Sequence, residues 1–260
     1  MSILELRKAG IRFGGLRAVC DLDLSLPEGC LYGLIGPNGA GKTTVFNLIT
    51  GIYLPTEGDI LFQGKSIVGM GPTRIAAAGI GRTFQNIRLF SGLSVLDNVK
   101  VAFHRHLHAN LFEAVLRAPR YLADEARADA EARQLLDTFG LLPMAEYGAE
   151  SLPYGLRRRL EIARALATKP KLLLLDEPAA GMNPSEADEL MHLIRWVRET
   201  FGVTILLIEH HMAVVMGICE RITVLDHGAR IAEGTPDEIR KDPVVIEAYL
   251  GTDVHTQVTA

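Results

Sequence analysis

The residues LYGLI at 31–35, LLLL at 172–175 and VTILLI at 203–208 carry almost no polar positions and do not alternate. A strand with one wet face alternates with period two, so these runs point to strands covered on both faces of a mainly parallel sheet. Helical patterns lie between them, which predicts an α/β fold. The stretch GDILFQG at 58–64 reads as a strand leaving a turn and adds a small antiparallel β part beside the parallel core. Residues 93–149 are rich in Ala, Leu, Arg and Glu and hold no strong strand signal; they predict a helical insert broken near Pro119 and Gly140. After Asn183, the spacing of Leu190, Ile194, Val197 and Phe201 predicts a helix that buries all four. There is no internal repeat, and the residues after Gly251 are expected to fray.

Composition narrows the function class. A chain of 260 residues, 48% hydrophobic, can bury the core of one large domain or two small ones. With 27 basic and 31 acidic residues the net charge is -4, so the overall field that nucleic-acid binding needs is missing. Cys20, Cys30 and Cys219 are odd in number and in no C-x-x-C spacing, which argues against a disulfide framework or a thiolate zinc site and for a reducing compartment. No uncharged apolar run approaches the ~20 residues that span a bilayer, and residues 1–10 carry charges where a signal peptide needs an apolar centre. Any membrane role is therefore expected to come through a partner.

The strongest chemical signal is GPNGAGKTT at 36–44, which fits G-x-x-x-x-G-K-[ST] and lies between the apolar run 31–35 and a helix-like 45–49. Gly36, Pro37, Asn38, Gly39, Ala40 and Gly41 form a loop whose backbone N–H groups can curl around phosphate oxygens. Lys42 can reach the β- and γ-phosphates, and Thr43, with Thr44 beside it, brings a hydroxyl for Mg²⁺. The bare pattern arises by chance in roughly one chain in a hundred of this length. Its strand-to-helix setting makes a plain glycine turn a poor alternative. In KLLLLDEP at 171–178 a buried strand delivers two carboxylates at its C-terminal end. Asp176 suits the water shell of Mg²⁺, and Glu177 can polarise an attacking water; without the phosphate loop the pair would be an ordinary solvated strand end.

SLPYGLRRRLEIARAL at 151–166 resembles the signature segment of ATP-binding-cassette (ABC) ATPases, which in that family usually runs L-S-G-G-Q before a helix. With the two motifs above, the chain is identified as a member of the family over essentially its whole length. The resemblance implies a P-loop NTPase (RecA-like) core, ATP and Mg²⁺ as cofactors, and two subunits that sandwich two ATP molecules. Each site then joins the P-loop of one chain to the signature of the other, so Tyr154 and Gly155 at the helix N-terminus would face a partner's γ-phosphate. Arg157, Arg158 and Arg159 would be exposed first turns of that helix, solvated or packing rather than a nucleic-acid patch. Phe13, in IRFGG, matches the aromatic that stacks on adenine; a core phenylalanine is the alternative. Gln85, in GRTFQNIRLF, matches the glutamine that senses Mg²⁺ and the γ-phosphate while its loop touches the membrane partner. His210, in VTILLIEHH, matches the switch histidine that contacts the γ-phosphate, with a satisfied loop histidine as the alternative.

Three positions depart from the family pattern. Pro153 replaces the signature serine and Leu156 its glutamine, which keeps the glycine and the helix dipole but removes two polar contacts and implies slower hydrolysis. Asn183 falls where many members carry an interface aspartate; Asn183, Pro184 and Glu186 equally fit a helix cap. Residues 76–99, the arginine-rich insert and residues 234–251 resemble the longer of the two ATP-binding subunits of branched-chain amino-acid importers.

The resemblance implies integral-membrane permease subunits, a paralogous ATP-binding subunit or a second copy, a periplasmic solute-binding protein, and a peripheral place on the cytoplasmic face of the inner membrane. No nucleic acid is expected. An importer of urea or amides, or a soluble ABC ATPase outside transport, are the alternatives; a stand-alone P-loop kinase gains nothing from a signature segment. The expected division is 1–92 with 160–235 as nucleotide-binding core, 93–159 as helical subdomain with the signature, and 236–260 as C-terminal helical tail, with no room for a regulatory domain. His104, His106 and His108 alternate awkwardly for one helix face and predict no metal site; the charged run 123–133 has helix-surface composition, and Trp196 has no assigned function.

Overall fold

The computed structural model describes residues 1–103, 116 and 118–256, so His104, His106 and His108 lie outside the described residues. The strands are β1 (Ser2–Phe13), β2 (Leu16–Pro27), β3 (Leu31–Ile35), β4 (Glu57–Phe62), β5 (Lys65–Ser66), β6 (Ile80–Arg82), β7 (Leu172–Asp176), β8 (Thr204–Ile208), β9 (Arg221–Asp226) and β10 (Ala229–Gly234). The helices are α1 (Lys42–Ile49), α2 (Pro72–Ala78), α3 (Val95–Phe103), α4 (Pro119–Thr138), α5 (Tyr154–Ala167), α6 (Pro184–Phe201), α7 (Met212–Ile218), α8 (Pro236–Lys241) and α9 (Pro243–Thr256). The chain divides into two compact units, Met1–Arg82 with Lys171–Ala260, and Thr83–Pro170.

In the first unit, six strands run in the order β10-β9-β3-β8-β7-β6. The pairs β3/β8, β3/β9, β7/β8 and β6/β7 are parallel, and only β9/β10 is antiparallel. Every residue of β3, β7 and β8 is buried, as their unbroken apolar runs predict. The fold is thus the expected α/β one, with a mainly parallel core.

The antiparallel part is larger than expected. Besides β4 and β5 it contains the long hairpin β1/β2, in the order β2-β1-β4-β5. In β2, Leu22, Leu24 and Leu26 are buried while Asp21, Asp23 and Ser25 are exposed, a period-two pattern. Its partner β1 carries register shifts at several points, which break the alternation on that strand. Leu4, Leu22 and Leu26 from this sheet share one apolar cluster with Leu34, Leu174 and Leu206 of the parallel strands and Phe46 of α1.

The second unit is helical. α3, α4 and α5 pack on one another, and α4 starts at Pro119 and gives way at Gly140, where a φ of 68° suits glycine. Within 123–133, Asp129 and Arg133 pair at 2.8 Å one turn apart, and only Ala128 and Ala132 turn inward.

α6 buries Leu190, Ile194 and Val197, but Phe201, expected inside, is 38% exposed. It occupies the last position of the helix and packs edge-on against Trp196, with ring centroids 5.9 Å apart. The helix starts in a full capping box: Asn183 Oδ1 accepts from the Glu186 N–H at 3.0 Å, and Glu186 Oε2 accepts from the Asn183 N–H at 2.9 Å. The capping geometry expected of Asn183 is therefore present. Asn183→Ala should lower unfolding free energy by about 1 kcal/mol, measured as a shift in urea midpoint at unchanged slope.

Candidate nucleotide-binding site

The site grows from the C-terminal end of β3, at the centre of the parallel sheet. There the chain turns through Gly36 to Gly41 and enters α1. Gly36 has φ 151°, and a Cβ there would collide with the Leu225 carbonyl oxygen. Gly41 has φ 98° and lies so close to Ala18 that a Cβ would sit 2.5 Å from its carbonyl oxygen. No acidic residue occupies the first turn of α1, so the positive end of that helix is left uncompensated by its own side chains.

Lys42 is 6% exposed, and its ammonium donates to the Gly36 carbonyl at 2.7 Å and the Pro37 carbonyl at 2.9 Å. Burial pushes its pKa down, against the opposing pull of the Glu177 and Asp176 carboxylates. A cleft of about 540 Å³ opens here, lined by Phe13, residues 38–44, Glu177 and His227 among others. Phe13 is 45% exposed at this cleft and meets Tyr53 edge-on at 5.1 Å, so it is not a core phenylalanine. Thr43 is exposed, and Pro37 and Ala40 are buried behind the loop.

Strand β7 brings the two carboxylates. Asp176 is buried, and its Oδ2 accepts from Arg82 Nη2 at 2.8 Å. Glu177 follows with φ 45°, a left-handed conformation that costs a non-glycine residue about 1–3 kcal/mol. The geometry is held because the Glu177 N–H donates to the Ile208 carbonyl of β8 at 2.9 Å. The Glu177 carboxylate then lies 3.5 Å from His210 Nδ1.

Glu209, which the sequence reading passes over, explains how His210 is placed. It is fully buried, its Oε1 accepts from the Ala179 N–H at 2.7 Å, and its Oε2 accepts from the N–H groups of His210 and His211 at 3.1 and 3.3 Å. One carboxylate thus fastens the chain after β7 to the chain after β8. The signal for it was a charge directly after an all-apolar strand.

Gln85, Tyr154 and Gly155 belong to the second unit. The sequence places Arg157, Arg158 and Arg159 in exposed first turns of the signature helix, but none of them is exposed: Arg157 and Arg159 are half-buried and Arg158 is 1% exposed. Its guanidinium donates to the Phe84 carbonyl at 3.1 Å, the Gln85 carbonyl at 3.2 Å and Glu161 Oε2 at 2.6 Å. Glu161, also buried, accepts from the N–H groups of Phe84 and Arg88 at 3.3 and 3.4 Å. Burial pushes its carboxyl up, while Arg158 and these amides pull it down. The reason for the misplacement is local: a buried carboxylate one turn on, and two loop carbonyls, supply what a buried guanidinium needs. Tyr154 is 37% exposed, and no side chain caps the helix at Pro153. A Cβ on Gly155 would meet nothing within 4 Å.

A glycine-bound loop leaving the central parallel strand, a lysine folded over it and two carboxylates at the end of a parallel strand two places along the sheet define a P-loop nucleoside-triphosphatase. The sequence profile described as ABC transporter matches residues 19–180. That described as branched-chain amino acid ATP-binding cassette transporter matches residues 229–255. The chain is 47% identical over 249 residues to the high-affinity branched-chain amino acid transport ATP-binding protein BraF of Pseudomonas aeruginosa, covering 96% of this chain and 98% of that one. It is 49% identical over 241 residues to LivG of Salmonella typhimurium, which carries the same description, covering 93% and 94%. Among solved structures it superposes with a TM-score of 0.83 on the ADP conformation of MJ1267, an ATP-binding cassette of an ABC transporter, at 29% identity and covering 96% and 99% of the two chains. The chain belongs to the ABC transporter family, as one of its ATP-binding ATPases.

Glu209→Ala would leave three backbone N–H groups without their acceptor, each costing about 1–3 kcal/mol if water cannot replace it. Thermal unfolding of this variant should fall well below that of the parent, and Glu209→Gln, which keeps an acceptor oxygen, should recover part of the loss.

Proposed function

We propose that this chain hydrolyses ATP to power import of branched-chain amino acids, acting on integral-membrane permease subunits from the cytoplasmic face of the inner membrane. Glu177 carries the catalytic half of the reading: a strained backbone fixes its carboxylate 3.5 Å from His210 at the end of β7, in the same unit as Lys42. The names of BraF and LivG, matched over more than nine-tenths of their length, support the solute. The membrane-spanning work falls to partners, in keeping with the lack, among the described residues, of any helix long and apolar enough to cross a bilayer. A paralogous ATPase or a second copy completes the dimer, and a periplasmic solute-binding protein supplies the solute.

In this reading Phe13 stacks on adenine, the amides of residues 36–44 receive the phosphates and Lys42 reaches the γ-phosphate. Thr43 and Asp176 would hold Mg²⁺, with Gln85 as its sensor. The residues fit that ion, because one hydroxyl and one carboxylate plus phosphate oxygens suit it, and no cluster of three His, Cys, Asp or Glu among the described residues favours another. When bound, Mg²⁺ neutralises charge on the β- and γ-phosphate oxygens. Glu177 orients a water and takes its proton as the water oxygen bonds to the γ-phosphorus. The bond from that phosphorus to the bridging oxygen breaks, releasing ADP. Lys42 and His210 stabilise the charge that develops. Binding of ATP closes the dimer and hydrolysis reopens it, and the Gln85 loop passes the change to the permease.

Gly155 supports the composite site. Its own chain leaves the space over it open, yet at the second position of α5 a glycine is a poorer helix former than alanine. A partner's phosphate, approaching the backbone closely, accounts for the missing side chain. Gly155→Ala should therefore raise the urea stability of the isolated chain while lowering steady-state ATPase activity of the assembled protein; unchanged activity would remove the phosphate role.

Glu177→Gln should bind ATP normally and form an ATP-dependent dimer in light scattering. Its turnover should fall by roughly 10²–10⁴-fold, the usual worth of a positioned general base. Reconstituted with its permease, the same variant should lose ATP-driven leucine uptake. Undiminished turnover would refute the role of Glu177, and an active ATPase that moves no leucine would refute the solute.

A further inference from the structure

Arg82 ends the edge strand β6, and no motif assigns it a role. Its side chain is 8% exposed and engages two further elements of the first unit. Nη2 donates to Asp176 Oδ2 at 2.8 Å, and that carboxylate is itself only 5% exposed. Nη1 donates to Asn47 Oδ1 at 2.8 Å and Thr50 Oγ1 at 3.3 Å, both on α1, and the guanidinium lies 5.4 Å over the Phe46 ring of the same helix. β6 and β7 are parallel with Arg82 opposite Leu174, so the guanidinium comes from the strand directly beside the one that ends in Asp176.

Two physical facts give this arrangement meaning. A buried carboxylate has to be paired, and a guanidinium fork fixes orientation as well as charge. A carboxylate that ligates a cation is in turn oriented by the groups that hold its other oxygen. Arg82 Nη2 takes Oδ2 of Asp176, and Nη1 anchors to the helix that begins with Lys42 and Thr43.

We propose that Arg82 is a positioning residue for the divalent-cation site: it clamps the Asp176 carboxylate to the P-loop helix, so that Asp176 and the Thr43 hydroxyl are held in register for a nucleotide-bound divalent cation. This rests on the reading of Asp176 and Thr43 given under Proposed function.

The test is the gain in affinity that Mg²⁺ gives to AMP-PNP, measured calorimetrically on the full-length chain as the ratio of Kd in EDTA to Kd in saturating Mg²⁺. By linkage that ratio reports the cation's contribution. Arg82→Lys keeps the charge but not the fork, and should shrink the ratio by about tenfold while leaving Kd in EDTA within about twofold. Asn47→Ala leaves the Arg82–Asp176 pair intact, removes one anchor on α1, and should shrink the ratio by a smaller factor. A ratio unchanged in both variants, or a Kd in EDTA that worsens as much as the Kd in Mg²⁺, overturns the proposal. Asp176→Asn separates the two readings. If it leaves the ratio unchanged, the cation role of Asp176 fails and the clamp with it; if it collapses the ratio while Arg82→Lys and Asn47→Ala do not, the clamp alone fails.

Discussion

Burial of the parallel strands on both faces is the constraint from which the rest follows. β3, β7 and β8 admit no water along their length, so polar groups collect at their C-terminal ends, where each must find a partner. β3 ends in backbone amides and carbonyls, two of which hold the Lys42 ammonium. β7 ends in Asp176, matched by Arg82, and β8 ends next to Glu209, matched by three amides. The chemistry of the site is thus carried by residues that the sheet cannot bury unaccompanied. The strain at Glu177 belongs to the same order: a left-handed glutamate persists because a strand on one side and a bonded loop on the other leave it no alternative.

Much of this was legible from local pattern. The apolar runs announced the central strands, the glycine spacing announced the loop, and the Asn183 to Glu186 pattern announced a helix start whose two reciprocal bonds are present. What escaped did so for separate physical reasons. The hairpin β1/β2 escaped because shifts of register blur the alternation of β1, although Asp-Leu-Asp-Leu-Ser-Leu in β2 is clear by itself. Arg158 looked like surface because three arginines in a row usually are; its burial depends on Phe84 and Gln85, more than seventy residues away. Phe201 fitted the buried stripe by spacing and fell outside it because the helix ends there. Arg82 and Glu209 carry no motif, and only the strands beside them say what they hold.

The pair Arg158 and Glu161 also constrains how the sequence can change. Each is the other's counter-charge at 2.6 Å with almost no solvent, and each also grips the backbone around Gln85. Losing either one alone strands a charge in the interior and frees a loop, a step costing several kcal/mol. Loss of both would remove the charge problem but leave the loop without its fastening. Drift at these two sites is therefore blocked in single steps, and a lineage that abandons the pair has to rebuild the path of residues 84–88 at the same time.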